Sequence, residues 1–489
     1  MKKVPWIIAI SVLLQTTTVF AEPTTGDMMD MLQKIQKQMS DMQRTIDNQN
    51  FKIQQLESRK VLETPQPNVP IQPSATMSDE DFQKSLKDNI GEAIPWMKGA
   101  KYGGDLRLRM ENFNYYNKND EAGSTGTTAD RPRSRFRIRL RWGFEKDYGD
   151  DWKAGFRLAT GSTTDPNSTN VSLGNPGYFN FKTFNVDRAY AIYEPNGLKD
   201  YGALKGAKVG AGKFENPFLR YSTPMVWDAD VTPEGLYEQA NWQLVNAEDT
   251  KVKVQTTAGQ FIVNENAGVD TDAEIFAYQG ALNISTYAFN SDKPTDISLA
   301  MSYYDYYNWF QTVTSNTAST SYLRTNSILA DDFRVLDLYP EVVMDLNGSP
   351  LTLWVDYAVN TSNVGTTNDQ SLGNDVHDSD TAWGAGFKLG KANKKSSWEF
   401  FYGYYEIGVN AVPAAFNDGD FGGPGTNGFT NRKGHKFGLG YMLTENIALN
   451  WTGYLVAPLH PTASSTLLGL GSATNESVFR SQLDLVYKF

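Results

Sequence analysis

From Gly104 to the C-terminus, apolar and polar residues alternate with a period of two, the spacing of an extended strand with two unlike faces. The sharpest case lies in Arg131 to Trp142. Arg133, Arg135, Arg137, Arg139 and Arg141 alternate there with Phe136, Ile138, Leu140 and Trp142. Leu351, Leu353, Val355, Tyr357 and Val359 stand likewise against Thr352, Asp356, Ala358 and Asn360. At the end of the chain, Phe479, Leu483, Leu485, Tyr487 and Phe489 alternate with Arg480, Gln482, Asp484 and Lys488.

The pattern predicts sixteen strands, at 104–115, 132–147, 151–160, 183–194, 205–214, 235–245, 250–264, 274–288, 295–308, 334–346, 351–361, 381–390, 397–406, 432–444, 446–457 and 478–489. Their connections alternate in length. Short turns such as Tyr148-Gly149-Asp150 and Asn347-Gly348-Ser349-Pro350 follow even strands, and long stretches rich in Gly, Asn, Ser, Thr and Pro follow most odd ones.

Upstream the period is different. Leu32, Ile35, Met39, Met42, Ile46, Gln49, Ile53 and Leu56 fall at steps of three and four, which predicts a coiled coil within residues 22–60. A linker with Pro65, Pro67, Pro70 and Pro73 occupies 61–78, and an amphipathic helix with Phe82, Leu86, Ile90 and Ile94 on one face is predicted at 79–99.

Two-faced strands need two environments, and the composition narrows the choice. A cationic strand alone also fits a basic sheet edge or a nucleic-acid surface. The formal charge of −11, or −13 once Lys2 and Lys3 leave with a secretory signal at residues 1–21, excludes a general nucleic-acid binder. No later segment has the 18 or so consecutive apolar residues of a spanning helix, so a membrane span must be β. Twenty-five Tyr and 11 Trp suit girdles at the two lipid–water interfaces. The absence of Cys removes thiol chemistry, and His377, His435 and His460 lack metal-ligand spacing or a Ser at a triad spacing. No catalytic residue, metal or cofactor is therefore assigned, and the chain is read as not an enzyme.

Together these features predict an all-β, sixteen-stranded antiparallel transmembrane barrel at 100–489, with short turns on one rim, long loops on the other, and a lumen filled with water. The terminal Leu-Asp-Leu-Val-Tyr-Lys-Phe resembles the C-terminal signal of bacterial barrels, and Gly104-Asp105-Leu106-Arg107-Leu108-Arg109, Arg135 to Phe144 and Trp152 to Gly161 resemble the Putative porin family: Gram-negative outer-membrane porins with an N-terminal coiled coil. The likeness to phosphate-selective porins is more distant. The resemblance implies an outer-membrane homotrimer of channels for passive diffusion of small hydrophilic solutes or ions, each narrowed by an inward-folded third loop.

That loop is Glu215 to Glu234, with Arg220, Asp228, Asp230 and Glu234 as its charged groups. The expected pore-lining cations are Arg107, Arg109, Arg133, Arg135, Arg137, Arg139, Arg141, Lys153 and Arg157, either as an anion ladder or paired with Glu111, Glu145, Asp147 or loop carboxylates. The coiled coil would lie in the periplasm and could hold peptidoglycan or a periplasmic partner, so the alternative function is a tether between membrane and wall.

Overall fold

The structure is a computed structural model that describes residues 99–116, 133–163, 165–219, 223, 225–265, 272–289, 292–309, 333–362, 379–422, 430–459 and 477–489. The expected signal, coiled coil, linker and nearly all of the 79–99 helix lie outside the described residues, as do Arg220, His377 and His460.

The strands are β1 (Ala100–Tyr116), β2 (Arg133–Gly149), β3 (Trp152–Thr160), β4 (Val171–Ser172), β5 (Phe184–Tyr193) and β6 (Leu204–Lys213). They continue as β7 (Glu234–Asn246), β8 (Thr250–Asn264), β9 (Ala273–Thr286), β10 (Thr295–Tyr307), β11 (Phe333–Leu346) and β12 (Ser349–Asn360). The last are β13 (Thr381–Gly390), β14 (Trp398–Ile407), β15 (Arg432–Met442), β16 (Ile447–Pro458) and β17 (Ser477–Lys488). Apart from β4, each pairs antiparallel with its sequence neighbours, and β1 pairs with both β2 and β17, so sixteen strands close into a barrel. Each of the sixteen falls within a few residues of its expected range.

Two-residue β4 has no counterpart in the sequence reading. It pairs with β2 at Arg137 and Ile138, above the point where the short β3 stops, and so completes the wall there.

The side-chain alternation sorts as a membrane barrel requires. Phe136, Leu140 and Trp142 point outward, 58%, 37% and 42% exposed, whereas Arg137 and Arg139 on the other face are buried. Leu108, Met301, Leu353, Val355, Leu439 and Leu485 continue the outer apolar band around the barrel. One irregularity matters for the lumen: a bulge opposite Arg157 and Leu158 leaves Asp187 as an extra residue in β5, so the side chains of Asp187 and Arg188 follow one another at 8% and 14% exposure.

Closure at the seam is tight. The backbone of Gly104 exchanges hydrogen bonds with Phe489, at 3.0 and 3.2 Å. A Cβ on Gly104 would sit 2.0 Å from the Arg141 carbonyl oxygen and 2.9 Å from the Phe489 ring, so only glycine fits beneath the terminal aromatic. At the same rim the β11–β12 turn is Asn347-Gly348, both with positive φ (50° and 87°), the backbone of a two-residue hairpin.

Candidate functional site: a lumen filled by three loops

A sixteen-strand barrel is too wide for its own side chains to fill, so its cross-section is decided by what folds into it. Among the described residues, parts of three loops do so: the second (161–183), the third (214–233) and the seventh (408–431). In the third, Phe214, Phe218, Met225, Val226, Trp227 and Val231 are at most 5% exposed and pack against inward-facing Tyr237, Phe261, Ile275, Tyr304 and Tyr306. Polar groups of the wall clamp its backbone. Leu219 N–H donates to Gln279 Oε1 (2.8 Å), Gln279 Nε2 donates back to the Leu219 carbonyl (3.0 Å), and Gln239 Nε2 donates to the Pro217 carbonyl (3.2 Å).

The seventh loop was expected to be an ordinary long loop, yet Val409 to Ala415 are buried. Phe416 stacks on Trp227 of the third loop at 5.0 Å and 15°, and its carbonyl accepts the Asp228 N–H at 2.6 Å. Burying an aromatic of this size is worth about 3 kcal/mol, so the two loops form one apolar wedge against the wall opposite the arginines.

Both loops turn at an Asp-x-Asp sequence built the same way. Asp228 Oδ1 accepts the Asp230 N–H and Asp418 Oδ1 accepts the Asp420 N–H, each at 2.8 Å, while the residue after each second Asp closes a turn onto the first Asp carbonyl at 3.3 Å. The first Asp shapes the turn, and the second is presented to the cationic wall.

That wall is formed by β1, β2 and β17. Arg139 and Arg141 share Asp105, with Nε–oxygen distances of 2.8 and 2.7 Å, and Arg141 Nη1 also reaches Asp230 at 3.4 Å. Arg109 grips Asp484 with Nε and Nη2 (2.7 and 2.8 Å) and Asp420 with Nη1 (3.0 Å). Glu111, fully buried, accepts from Arg135, from Arg480 and from Gln482 Nε2. Phe113 lies between the Arg135 and Arg480 guanidiniums, 5.2 and 4.9 Å from its ring.

Arg107 and Arg137 differ from the rest. Arg107 donates to Asn170 Oδ1 (3.1 and 2.6 Å), and Arg137 to the Asn170 carbonyl (3.1 Å) and Ser168 Oγ (3.2 Å), all neutral groups of the second loop. Their closest carboxylates are Asp484 at 3.9 Å and Glu111 at 4.0 Å, both already engaged. On this wall seven guanidiniums, counting Arg480, meet three strand carboxylates and the two loop carboxylates Asp230 and Asp420, an excess of two positive charges.

The loop carboxyls are held in unlike states. Burial works against the Asp230 charge, but Arg139, Arg107 and Arg141 keep its carboxyl below the usual range. For Asp420, burial is outweighed by Arg480, Arg109 and Arg137, which hold it well below. Asp228, buried and beside Asp418 and Asp230, is pushed well above.

The other expected site residues lie apart from this network. Arg133 is exposed at the long-loop end of β2. Lys153 pairs with Glu194 at 2.7 Å, and Arg157 pairs with Asp187. Glu234 opens β7, pairs with Lys213 at 2.7 Å and is 60% exposed on its side chain. Of the expected partners, Glu111 is used by the arginines, whereas Glu145 accepts from Tyr190 and Asp147 caps the N–H of Gly149. His435 meets the Tyr402 hydroxyl at 2.8 Å. A cavity of about 660 Å³ opens between the second and third loops, with Asp165, Asp187, Asp230 and Lys213 in its lining.

Sequence reasoning did not single out Arg480, Asp484, Asp105 or Asp420. Arg480 and Asp484 follow from closure, which places β17 beside β1, and Asp105 from the β1–β2 register that sets it opposite Arg141. Asp420 is marked by the apolar run Val409 to Phe416 before it, a stretch that needs cover and so must fold inward.

No curated protein matches the chain. Among solved structures, the high-pH form of Pseudomonas putida OprB is similar at 11% identity and a TM-score of 0.47, covering 84% of this chain and 96% of that one. The outer-membrane channel DcaP of Acinetobacter baumannii is similar at 15% identity and a TM-score of 0.38, covering 80% and 97%. The model of the family described as Putative porin matches residues 83–327 and 310–454, more than half of the chain. With that match and its closed sixteen-strand barrel, the chain belongs to the Putative porin family of outer-membrane channels.

Proposed function

We propose that this porin passes small hydrophilic solutes and ions by passive diffusion and prefers anions. The observation that carries the preference is the excess of Arg107 and Arg137 over the carboxylates of their wall: their ligands are neutral, so their field is uncancelled in a narrow, low-dielectric passage. Arg109, Arg135, Arg139 and Arg141 act with them as a ladder whose charges are largely balanced, while Arg133, Lys153 and Arg157 line its approaches. Asp228 and Asp230 of the third loop form the opposing edge, and Arg220 and Glu234 belong to the same loop and its exit. In this reading the protein is a homotrimer with its long loops outside the cell, and residues 22–60 form a periplasmic coiled coil.

Liposomes containing the purified protein test the permeation reading. Swelling in an isotonic anionic sugar acid should be several times faster than in the neutral sugar of similar mass, since focusing raises the local concentration of a counter-charged solute about tenfold or more. Equal rates would remove the preference, and no swelling in either solute would remove the channel.

Asp165 adds a pH dependence. Burial pushes its carboxyl up to about 7, and it pairs with no cation among the described residues; its Oδ1 accepts only the Asn167 N–H, at 3.1 Å. Raising the pH through 7 charges Asp165 at the cavity beside the arginine wall, so anion preference should fall between pH 6 and pH 8. Asp165→Asn should flatten that change, and an unchanged pH profile in the variant would exclude Asp165 as its source.

A further inference from the structure

We infer that Arg109 and Arg480 form a binding site for a solute carboxylate, and that Asp420 of the seventh loop occupies it as a tethered competitor. The inference rests on the anion preference proposed above, and it names both the solute group and the residue that tunes its passage.

Asp420 bridges the two guanidiniums, with Oδ2 on Arg109 Nη1 at 3.0 Å and Oδ1 on Arg480 Nη2 at 2.5 Å. Each arginine is fixed from behind by a strand carboxylate. Asp484 takes Nε and Nη2 of Arg109, and Glu111 takes Nε and Nη2 of Arg480. Arg109 Nη1 and Arg480 Nη2 converge on the one Asp420 carboxylate, while Arg480 Nη1 donates to the Gly419 and Asp420 carbonyls at 3.3 and 2.8 Å, an arrangement already organised for an anion.

The three carboxylates differ in how replaceable they are. Glu111 is 0% exposed and Asp484 10%, and both sit on strands; Asp420 is 26% exposed and sits on a loop. Withdrawing Asp420 leaves Arg107, Arg109, Arg135, Arg137 and Arg480 around two strand carboxylates, a strongly positive pocket of buried arginines. The seventh loop keeps other anchors when Asp420 lets go: Lys436 Nζ donates to Asp418 Oδ2 at 2.9 Å, Asn167 Nδ2 donates to the Asn417 carbonyl at 2.9 Å, and Phe416 stays on Trp227. A group held this way acts at a high effective concentration, so a free carboxylate binds only by displacing it and leaves quickly when Asp420 returns. Rapid exchange of this kind is what a conducting site needs.

The test is single-channel recording in KCl with benzoate as blocker, on the full chain and on Asp420→Asn. The variant keeps the shape of the side chain but loses its charge. Its half-blocking benzoate concentration should fall on the order of tenfold, the weight of a charge-assisted hydrogen bond to a buried arginine. Block by the cation tetraethylammonium should not strengthen. Equal benzoate block in both proteins overturns the inference even when the wild type is anion-selective. A cation-selective wild type whose benzoate block still sharpens in the variant overturns the preference and leaves the site standing.

Should Asp420→Asn fail to fold, Gly419→Cys in this cysteine-free chain gives a second reading. Benzoate should speed maleimide labelling by lifting the loop, and an unchanged rate overturns the inference.

Discussion

Replacing Glu111 with leucine should destabilise the barrel by about 3 kcal/mol, because it strands buried guanidiniums whose charges it had cancelled. Glu111 lies on β1 and ties all three strands of the seam: Arg135 on β2, and Arg480 and Gln482 on β17. Arg480 is 1% exposed and would retain only Asp420, while Arg135 would have no carboxylate among the described residues within salt-bridge distance. Glu111→Gln keeps an acceptor and should lose less. The check is the midpoint of urea-induced unfolding in detergent, read by the gel mobility of the folded barrel. A midpoint no lower than that of a surface control such as Lys199→Gln would show that the seam is held by its backbone ladder alone.

The second large effect concerns selectivity. Arg107→Gln with Arg137→Gln removes the two wall charges that have neutral partners, and the chloride-to-potassium permeability ratio should fall on the order of tenfold. The same change loosens the second loop at Asn170, so conductance should rise while selectivity drops. Neutralising a balanced pair, Lys153→Gln with Glu194→Gln, should leave the ratio near its original value. A double arginine variant that keeps its permeability ratio would place the controlling charges elsewhere in the lumen.

The strands were legible because each meets two solvents. Lipid outside and a polar lumen inside impose strict alternation, and that alternation marked Arg133 to Arg141 and the final strand correctly. Where a strand meets something else, the signal fails. β4 is two residues of loop patched onto the edge of β2, and the bulge at Asp187 departs from the period of two. The third loop was expected to fold inward from its place in the order of connections.

The seventh loop was missed for a physical reason: a chain folded into a lumen needs no periodicity. Its only trace is the apolar Val409 to Phe416 in a segment otherwise rich in Asp, Gly and Asn. The arginines themselves were legible, and so was Glu111 as a partner, but Asp105 and Asp484 were not. Glu111 and Asp105 stand near them through the register of β1 on β2, Asp484 only because the barrel closes, and Asp230 and Asp420 only because two loops bend inward at matching Asp-x-Asp turns. The difference changes the chemistry, since a bare ladder of five arginines becomes a nearly neutral network with two charges in excess.

The central claim, a channel whose constriction favours anions through that excess, meets its most direct test in one recording: the zero-current potential of single channels in a planar bilayer across a tenfold KCl gradient. The account predicts stepwise openings with a reversal potential on the anion side of zero. A reversal potential on the cation side, or the absence of discrete openings, would contradict it.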